Sequence, residues 1–260
     1  SVVRPLAFDG FREARRQGRP TVLVLSSAEP GLPSDALGAL ARAGAQMRGA
    51  MFDGAARYAA RTADLALLHA GAPLRRFGEH ARNPRAFVET AFRERDIVEA
   101  PALEERLRAH AAAAGPTLRV VCATPLDDPR GLDDAIDAIR LARQRGTAAV
   151  LDVVGEGDDR RRFESRVASL GLRSVVRLAG PLPDGPERYR RLASYDVLVS
   201  TTGRLTDPSS IFDGFAAGLP AVGYGNDHLR QRAEEDGAAV PVREGDVPEL
   251  RRPDLRVADQ

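Results

Sequence analysis

Three short segments carry side chains suited to holding an anion or a sugar. Asp207-Pro208-Ser209-Ser210 is built like a helix start: an acidic cap, a proline in the first turn, two hydroxyls, then the apolar stretch from Ile211. The free N–H groups and positive dipole end of such a helix suit a phosphate, and Ser209 and Ser210 can add hydroxyl donors. Against this, Asp207 as the cap occupies some of those donors and repels an anion, so an ordinary capped helix is the competing reading. The second segment, Thr124 to Gly131, places Arg130 just before a helix, where its guanidinium could clamp a phosphate through paired hydrogen bonds. The chain has 38 basic residues, all arginine, so a solvated surface arginine is the bland alternative. The third is Gly155-Glu156-Gly157, where two glycines let backbone approach a ligand and Asp158 could cap the next helix; a plain strand-to-helix turn looks the same. His69 ends an apolar run, a position that fits either a ligand contact or a packed, hydrogen-bonded ring.

These segments fall where a layered α/β protein would put them. From residue 118 onward short apolar runs alternate with amphipathic stretches: 118–123, 148–155, 174–180, 195–202 and 219–224 read as strands, separated by helical patterns and followed by a last helix around 227–236. The strands are continuously apolar, as in a parallel sheet covered on both faces, which predicts a doubly wound domain over residues 116–245. In such a sheet ligands bind outside the carboxyl ends of the strands, where all three segments lie. The first 115 residues are less regular. Residues 20–27 read as a strand, DALGALARAGAQM as a helix, 62–70 as a helix end running into a strand, and 103–115 as a connecting helix. A domain boundary is expected at Gly115-Pro116, with a small or incomplete front domain over 1–115 and a polar tail over 246–260.

Composition bounds the function classes. With 260 residues, 43% hydrophobic and 29% charged, the chain can build a substantial core in one large or two modest domains. The net charge of +1 provides no global electrostatic footprint for nucleic acid or an anionic membrane, so an anion must be held locally. The single cysteine, Cys122, excludes an intrachain disulfide framework, and the four histidines lack zinc-ligand spacing. No apolar run approaches the ~20 residues needed to span a bilayer. A cytoplasmic location is expected, with peripheral contact with the inner membrane face left open. A start at Ser1 rather than Met leaves open that the chain is part of a longer protein.

From Leu118 to about Val242 the order of motifs resembles the nucleotide-sugar-binding domain of GT-B retaining glycosyltransferases of the group one type. The resemblance is carried by Arg130-Gly131 after the first strand, Val154-Gly155 and Gly157 after the second, LGLRSVVRLAG, YDVLVS, and the block DGFAAGLPAV from Asp213 to Val222, where the family has E-A-x-A-x-G-x-P-V-V. DLALLHAGAPLRRFGEHARNP resembles the late part of the family's N-terminal domain. It implies two Rossmann-like domains and transfer of a sugar from a nucleoside-diphosphate sugar, with retention of configuration and without metal or cofactor. It also assigns roles: Arg130, Ser209 and Ser210 to the diphosphate, Gly155 and Gly157 to the donor cleft, Gly180 to the base, Asp213 to the ribose, and Asp207 and His69 to the catalytic centre. The acceptor would be a sugar, a lipid or a small molecule.

The departures are equally specific. Eight residues before Asp213, where the family has its first acid, this chain has Leu205, and the nearest carboxylate, Asp207, is two positions away. The arginine the family often carries five residues before its basic residue is Pro125 here. A second reading is therefore a non-catalytic member of the same fold acting as a binding or regulatory subunit. A phosphorylase is disfavoured, because attaching its cofactor requires a lysine and the chain has none.

Overall fold

The computed structural model describes residues 5–26, 39–88, 90, 92–112, 115, 117–127, 129–201, 209–235 and 237–250. The chain forms two compact units, Ser1–Glu89 and Thr90–Gln260.

In the first unit, α1 (Pro5–Arg16), β1 (Val22–Leu25), α2 (Ala39–Thr62), β2 (Leu65–His69), α3 (Ala72–Phe77) and β3 (Pro84–Phe87) build a three-stranded parallel sheet in the order β1-β2-β3. Sequence patterning finds β1 and β2 but not β3, whose four residues Pro-Arg-Ala-Phe lack a β-branched run and begin with a residue that cannot donate to a ladder. The core of this unit is Leu25, Ala56, Ala60, Ala66, Leu68 and Phe77. Thr21 ties β1 to the start of β2: its N–H and hydroxyl both donate to Asp64, at 2.8 and 3.0 Å.

The second unit runs through α4 (Ala100–Ala112), β4 (Leu118–Ala123), α5 (Pro129–Gln144), β5 (Ala149–Val154), α6 (Arg160–Ser169), β6 (Val176–Gly180), α7 (Pro186–Leu192), β7 (Val197–Ser200), α8 (Ser209–Ala216), β8 (Ala221–Tyr224), α9 (Asp227–Glu235), β9 (Ala239–Val242) and α10 (Val247–Leu250). Its six strands are all parallel, in the order β6-β5-β4-β7-β8-β9. Successive residues of β4 (Val120, Val121, Cys122), β7 and β8 are buried, as the continuous apolar runs require when helices cover both faces. On one face α5 and α6 contribute Leu132, Ile136, Ile139, Phe163 and Val167 to one core; on the other, α7, α8 and α9 contribute Tyr189, Leu192, Ile211 and Leu229 to a second.

The compact units divide between Glu89 and Thr90, ahead of the expected position at 115–116, because α4 is anchored to the second unit. Arg106 of α4 donates to the carbonyls of Ala193 (2.9 Å) and Ala217 (3.2 Å) and to that of Gly218, while Val98 N–H donates to Ala216. No sequence period announces a fork of this kind, since its acceptors are main-chain atoms about a hundred residues away. Residues 246–250 also depart from the polar tail expected there: Leu250 is buried in the core shared with α5.

Candidate functional site

The strand order of the second unit reverses between β4 and β7. In chain order its six strands stand 3-2-1-4-5-6, so the connection after β4 leaves to one face and the connection after β7 to the other. A crevice must open where they diverge, at the carboxyl ends of these two strands. Its floor is tight. A Cβ built on Gly131, in the first turn of α5, would lie 2.8 Å from the carbonyl oxygen of Thr201, directly after β7. Only hydrogen fits between the two backbones there.

Polar groups are concentrated at this edge. Among the described residues, the buried polar side chains of the second unit are Thr124 after β4, Ser200 and Thr201 at the end of β7, Asn226 after β8, and Asp213 in α8. Burying a polar group costs free energy unless it is satisfied, so each of these side chains needs a partner at this end of the sheet. Asn226 caps α9, its Oδ1 accepting the Leu229 N–H at 2.9 Å, while its Nδ2 has no hydrogen-bond partner among the described residues. Cys122 is buried beneath Thr201; burial pushes its thiol up to about 12 despite a hydrogen bond with the Thr201 hydroxyl.

The loops after β4 and β5 are stitched together. Thr124 N–H donates to Val154 O (3.1 Å), Leu126 N–H to Glu156 O (3.1 Å) and Asp159 N–H to Leu126 O (3.1 Å). Gly155 adopts φ +154°, its N–H donates to Gly180 O at 3.1 Å, and a Cβ there would collide with the Thr124 carbonyl. A Cβ on Gly157 would likewise run into Leu126 and Asp127. Gly180 ends β6 at φ +77°, 3.4 Å from Glu156 Oε1 measured from an ideal Cβ. The structure thus brings Gly155, Gly157 and Gly180 together with the β4 loop. Asp158 does not cap α6 as expected: it precedes the cap position, and its own N–H donates to Asp127 Oδ1 at 2.8 Å.

The remaining predicted residues fall as follows. Arg130 is the second residue of α5, beside Gly131; its side chain lies outside the described residues. Ser209 opens α8 and Ser210 follows it, partly buried; the side chain of Ser209 lies outside the described residues. Asp207 and Leu205 lie within 202–208, outside the described residues.

Asp213 sits one turn into α8, with only 7% of its side chain exposed. Its Oδ2 accepts from Arg188 Nη1 at 3.3 Å and its Oδ1 from the Tyr189 hydroxyl at 3.2 Å, both from α7. Burial raises the Asp213 carboxyl above its ordinary range, opposed by the Arg188 charge and the Tyr189 hydrogen bond. Sequence reasoning does not find Arg188 or Tyr189, because nothing distinguishes one arginine in Glu187-Arg188-Tyr189-Arg190-Arg191 before the fold selects it.

His69 belongs to the first unit. It ends β2, is 4% exposed, has Nδ1 at 2.9 Å from the Ala70 carbonyl oxygen, and its ring stands edge-on to Phe87 with centroids 5.4 Å apart. That is the geometry of a packed histidine at the carboxyl end of a parallel strand. No group of three or more His, Cys, Asp or Glu among the described residues is arranged to hold a metal ion.

Two parallel α/β units, the second doubly wound with its polar cluster at the switch point, constitute the GT-B fold of glycosyltransferases. The family model described as Glycosyl transferases group 1 matches residues 117–252, more than half of the chain, and the chain belongs to that family. It is 28% identical over 138 residues to the amylovoran biosynthesis glycosyltransferase AmsK of Erwinia amylovora, a match covering 51% of this chain and 34% of that protein. Among solved structures it is similar to Anabaena Alr3699/HepE in complex with UDP-glucose (20% identity, TM-score 0.64, 95% of this chain and 65% of that one). It is also similar to an S. aureus TarM mutant in complex with fondaparinux, alpha-GlcNAc-glycerol and UDP (12% identity, TM-score 0.65, 98% and 47%). The chain spans about a third of the length of the curated relative and about half to two thirds of these structures.

Proposed function

We propose that the second unit binds a nucleoside-diphosphate sugar at the β4/β7 switch point, and that the protein transfers the sugar to an acceptor with retention of configuration and without a bound metal. The observation that carries this reading is the convergence at one edge of the Gly131–Thr201 close approach, the N-terminus of α8 and the buried carboxylate of Asp213. The UDP and UDP-glucose complexes of the structural neighbours support a nucleotide sugar as donor.

In this scheme Arg130 and the α8 N-terminus, with Ser209 and Ser210, hold the diphosphate and stabilise its charge as it departs. Fixed positive groups aimed at developing negative charge are the main lever available to a transfer of this type, together with positioning. Asp213 accepts hydrogen bonds from the ribose, and the glycine-lined loops at Gly155, Gly157 and Gly180 form the wall of the nucleotide cleft. Asp207 takes the part of the family's first acid, and His69, in the first unit, contacts the acceptor. No side chain need form a covalent intermediate. A sugar, lipid or small-molecule acceptor would complete the reaction.

A thermal-shift screen against UDP, GDP, ADP, TDP and CMP, with and without magnesium, tests the donor site, since a ligand of the native state raises the melting temperature by mass action. One diphosphate is expected to shift the wild type and to lose its effect in Arg130→Ala and Asp213→Ala. No shift at millimolar nucleotide would overturn the donor-site reading. The replacement of the family's first acid by Leu205 favours the second reading, a non-catalytic binding subunit. That reading predicts nucleotide binding without turnover of any nucleotide sugar.

A further inference from the structure

We propose that Arg188 and Tyr189 are positioning residues for the nucleotide ribose, gripping Asp213 so that its carboxylate presents its free lone pairs to the two ribose hydroxyls. The proposal rests on the donor-site reading and goes beyond it, because neither residue belongs to a motif that reading uses.

A carboxylate offers about four acceptor positions. Arg188 occupies one on Oδ2 and the Tyr189 hydroxyl one on Oδ1, so one remains on each oxygen. Two acceptors side by side on a fixed plane match the adjacent 2′ and 3′ hydroxyls of a ribose. The grip also fixes orientation, since contacts to both oxygens from the same helix turn leave the carboxyl plane little freedom to rotate. The grippers are themselves held. Arg188 donates a second hydrogen bond to Asp184 at 3.0 Å, and the Tyr189 ring is braced edge-on by Phe92 at 6.4 Å. Arg188 is 26% exposed at its side chain and Asp213 7%, so solvent reaches both partners of the pair.

Ionisation is the second part of the argument. Beneath α8 the sheet is apolar, with Leu198 against Gly214, so no cation reaches Asp213 from β7. Among the described residues, the charged and titratable groups facing it are Arg188 and Tyr189 from α7; Asp184 faces Arg188, and Asp96 acts on Tyr189. Burial pushes the Asp213 carboxyl towards its neutral form and Arg188 opposes that. A neutral carboxyl would surrender one acceptor position to its own proton, so loss of Arg188 should weaken ribose recognition most at low pH.

The experiment uses the full chain and two readouts. The first is a carbon-13 NMR titration of the aspartate carboxyls in wild type, Arg188→Met, Arg188→Lys and Tyr189→Phe, with Asp213→Asn to assign the signal. The second is calorimetric binding of UDP and 2′-deoxy-UDP between pH 5 and 8. The Asp213 midpoint should move to higher pH in Arg188→Met and return towards wild type in Arg188→Lys. Wild type should prefer UDP over 2′-deoxy-UDP by about tenfold, the size of one hydrogen bond to a charged group. Asp213→Asn should lose that preference throughout, and Arg188→Met should lose it at the acid end and regain part of it as pH rises. A midpoint unmoved by Arg188→Met, or a preference that it leaves unchanged at every pH, overturns the clamp. If wild type binds neither UDP nor any other nucleotide of the thermal-shift screen, the donor-site reading fails and the ribose role fails with it, whatever the titration shows about Arg188; if another diphosphate binds instead, the same comparison is made with the 2′-deoxy form of that one.

Discussion

Replacing Gly131 by alanine tests whether the switch point is as tight as the geometry requires. The new Cβ would stand 2.8 Å from the Thr201 carbonyl oxygen and 3.2 Å from its carbon, where ordinary contact begins near 3.4 Å. The oxygen must therefore retreat by about 0.6 Å (3.4 less 2.8), and it belongs to backbone at the end of a buried strand rather than to a flexible side chain. Overpacking a well-packed site costs about 1–3 kcal/mol. At ~2–4 °C per kcal/mol for a chain of this size, the melting temperature should fall by roughly 2–12 °C. The same displacement pushes the β4 and β7 loops apart, so nucleotide affinity should fall more than stability does. Gly54→Ala provides the control: Gly54 is in the interior of α2 with nothing within 4 Å of an added Cβ, so alanine there should stabilise by about 0.5–1 kcal/mol. Calorimetric unfolding and UDP titration of both variants decide the matter. A Gly131→Ala protein that melts within a degree of wild type and binds UDP equally well would refute the argument that the two backbones must touch.

The other expectations are independent of that one. Cys122, buried with its thiol pushed up to about 12, should resist a thiol reagent in the native protein at pH 8 and react fully in denaturant; rapid native labelling would contradict its place beneath Thr201. Arg106→Ala removes the donor shared by the carbonyls of Ala193, Ala217 and Gly218 and should cost about 1–3 kcal/mol by denaturant titration, with Arg106→Lys, which lacks the planar fork, recovering only part. Asp213 is raised above its ordinary 3.8, so the folded state holds its proton more tightly than the unfolded chain does. That contribution is fully present below the unfolded value and is lost as pH rises through the folded one, so the ionised carboxylate burdens stability at pH 7. Asp213→Asn should then melt no lower than wild type at pH 7 while losing nucleotide affinity; a clear drop in melting temperature there would show Asp213 to be structural instead.

Much of the second unit is legible from residue order alone. Continuous apolar runs such as those of β4 and β5 announce parallel strands, the spacing of Leu132, Ile136 and Ile139 announces the buried face of α5, and the loops at Gly155 and Arg130 fall at the strand ends because the alternation puts them there. Local pattern fixes these features because each depends on near neighbours and on the period of one element. The strand order is a different matter. That β4 lies beside β7, so that Gly131 meets Thr201, depends on pairing between residues some seventy positions apart, which no window of sequence encodes. The same holds for Arg188 and Tyr189 on Asp213, for Arg106 on the end of α8, and for β3, whose four residues become a strand only because β2 offers them a ladder. Composition and period determined which elements form and which face each one buries. The tertiary structure alone put Arg188, one of 38 arginines of identical chemistry, beside a buried carboxylate, because an ion pair depends on distance in space and not on separation along the chain.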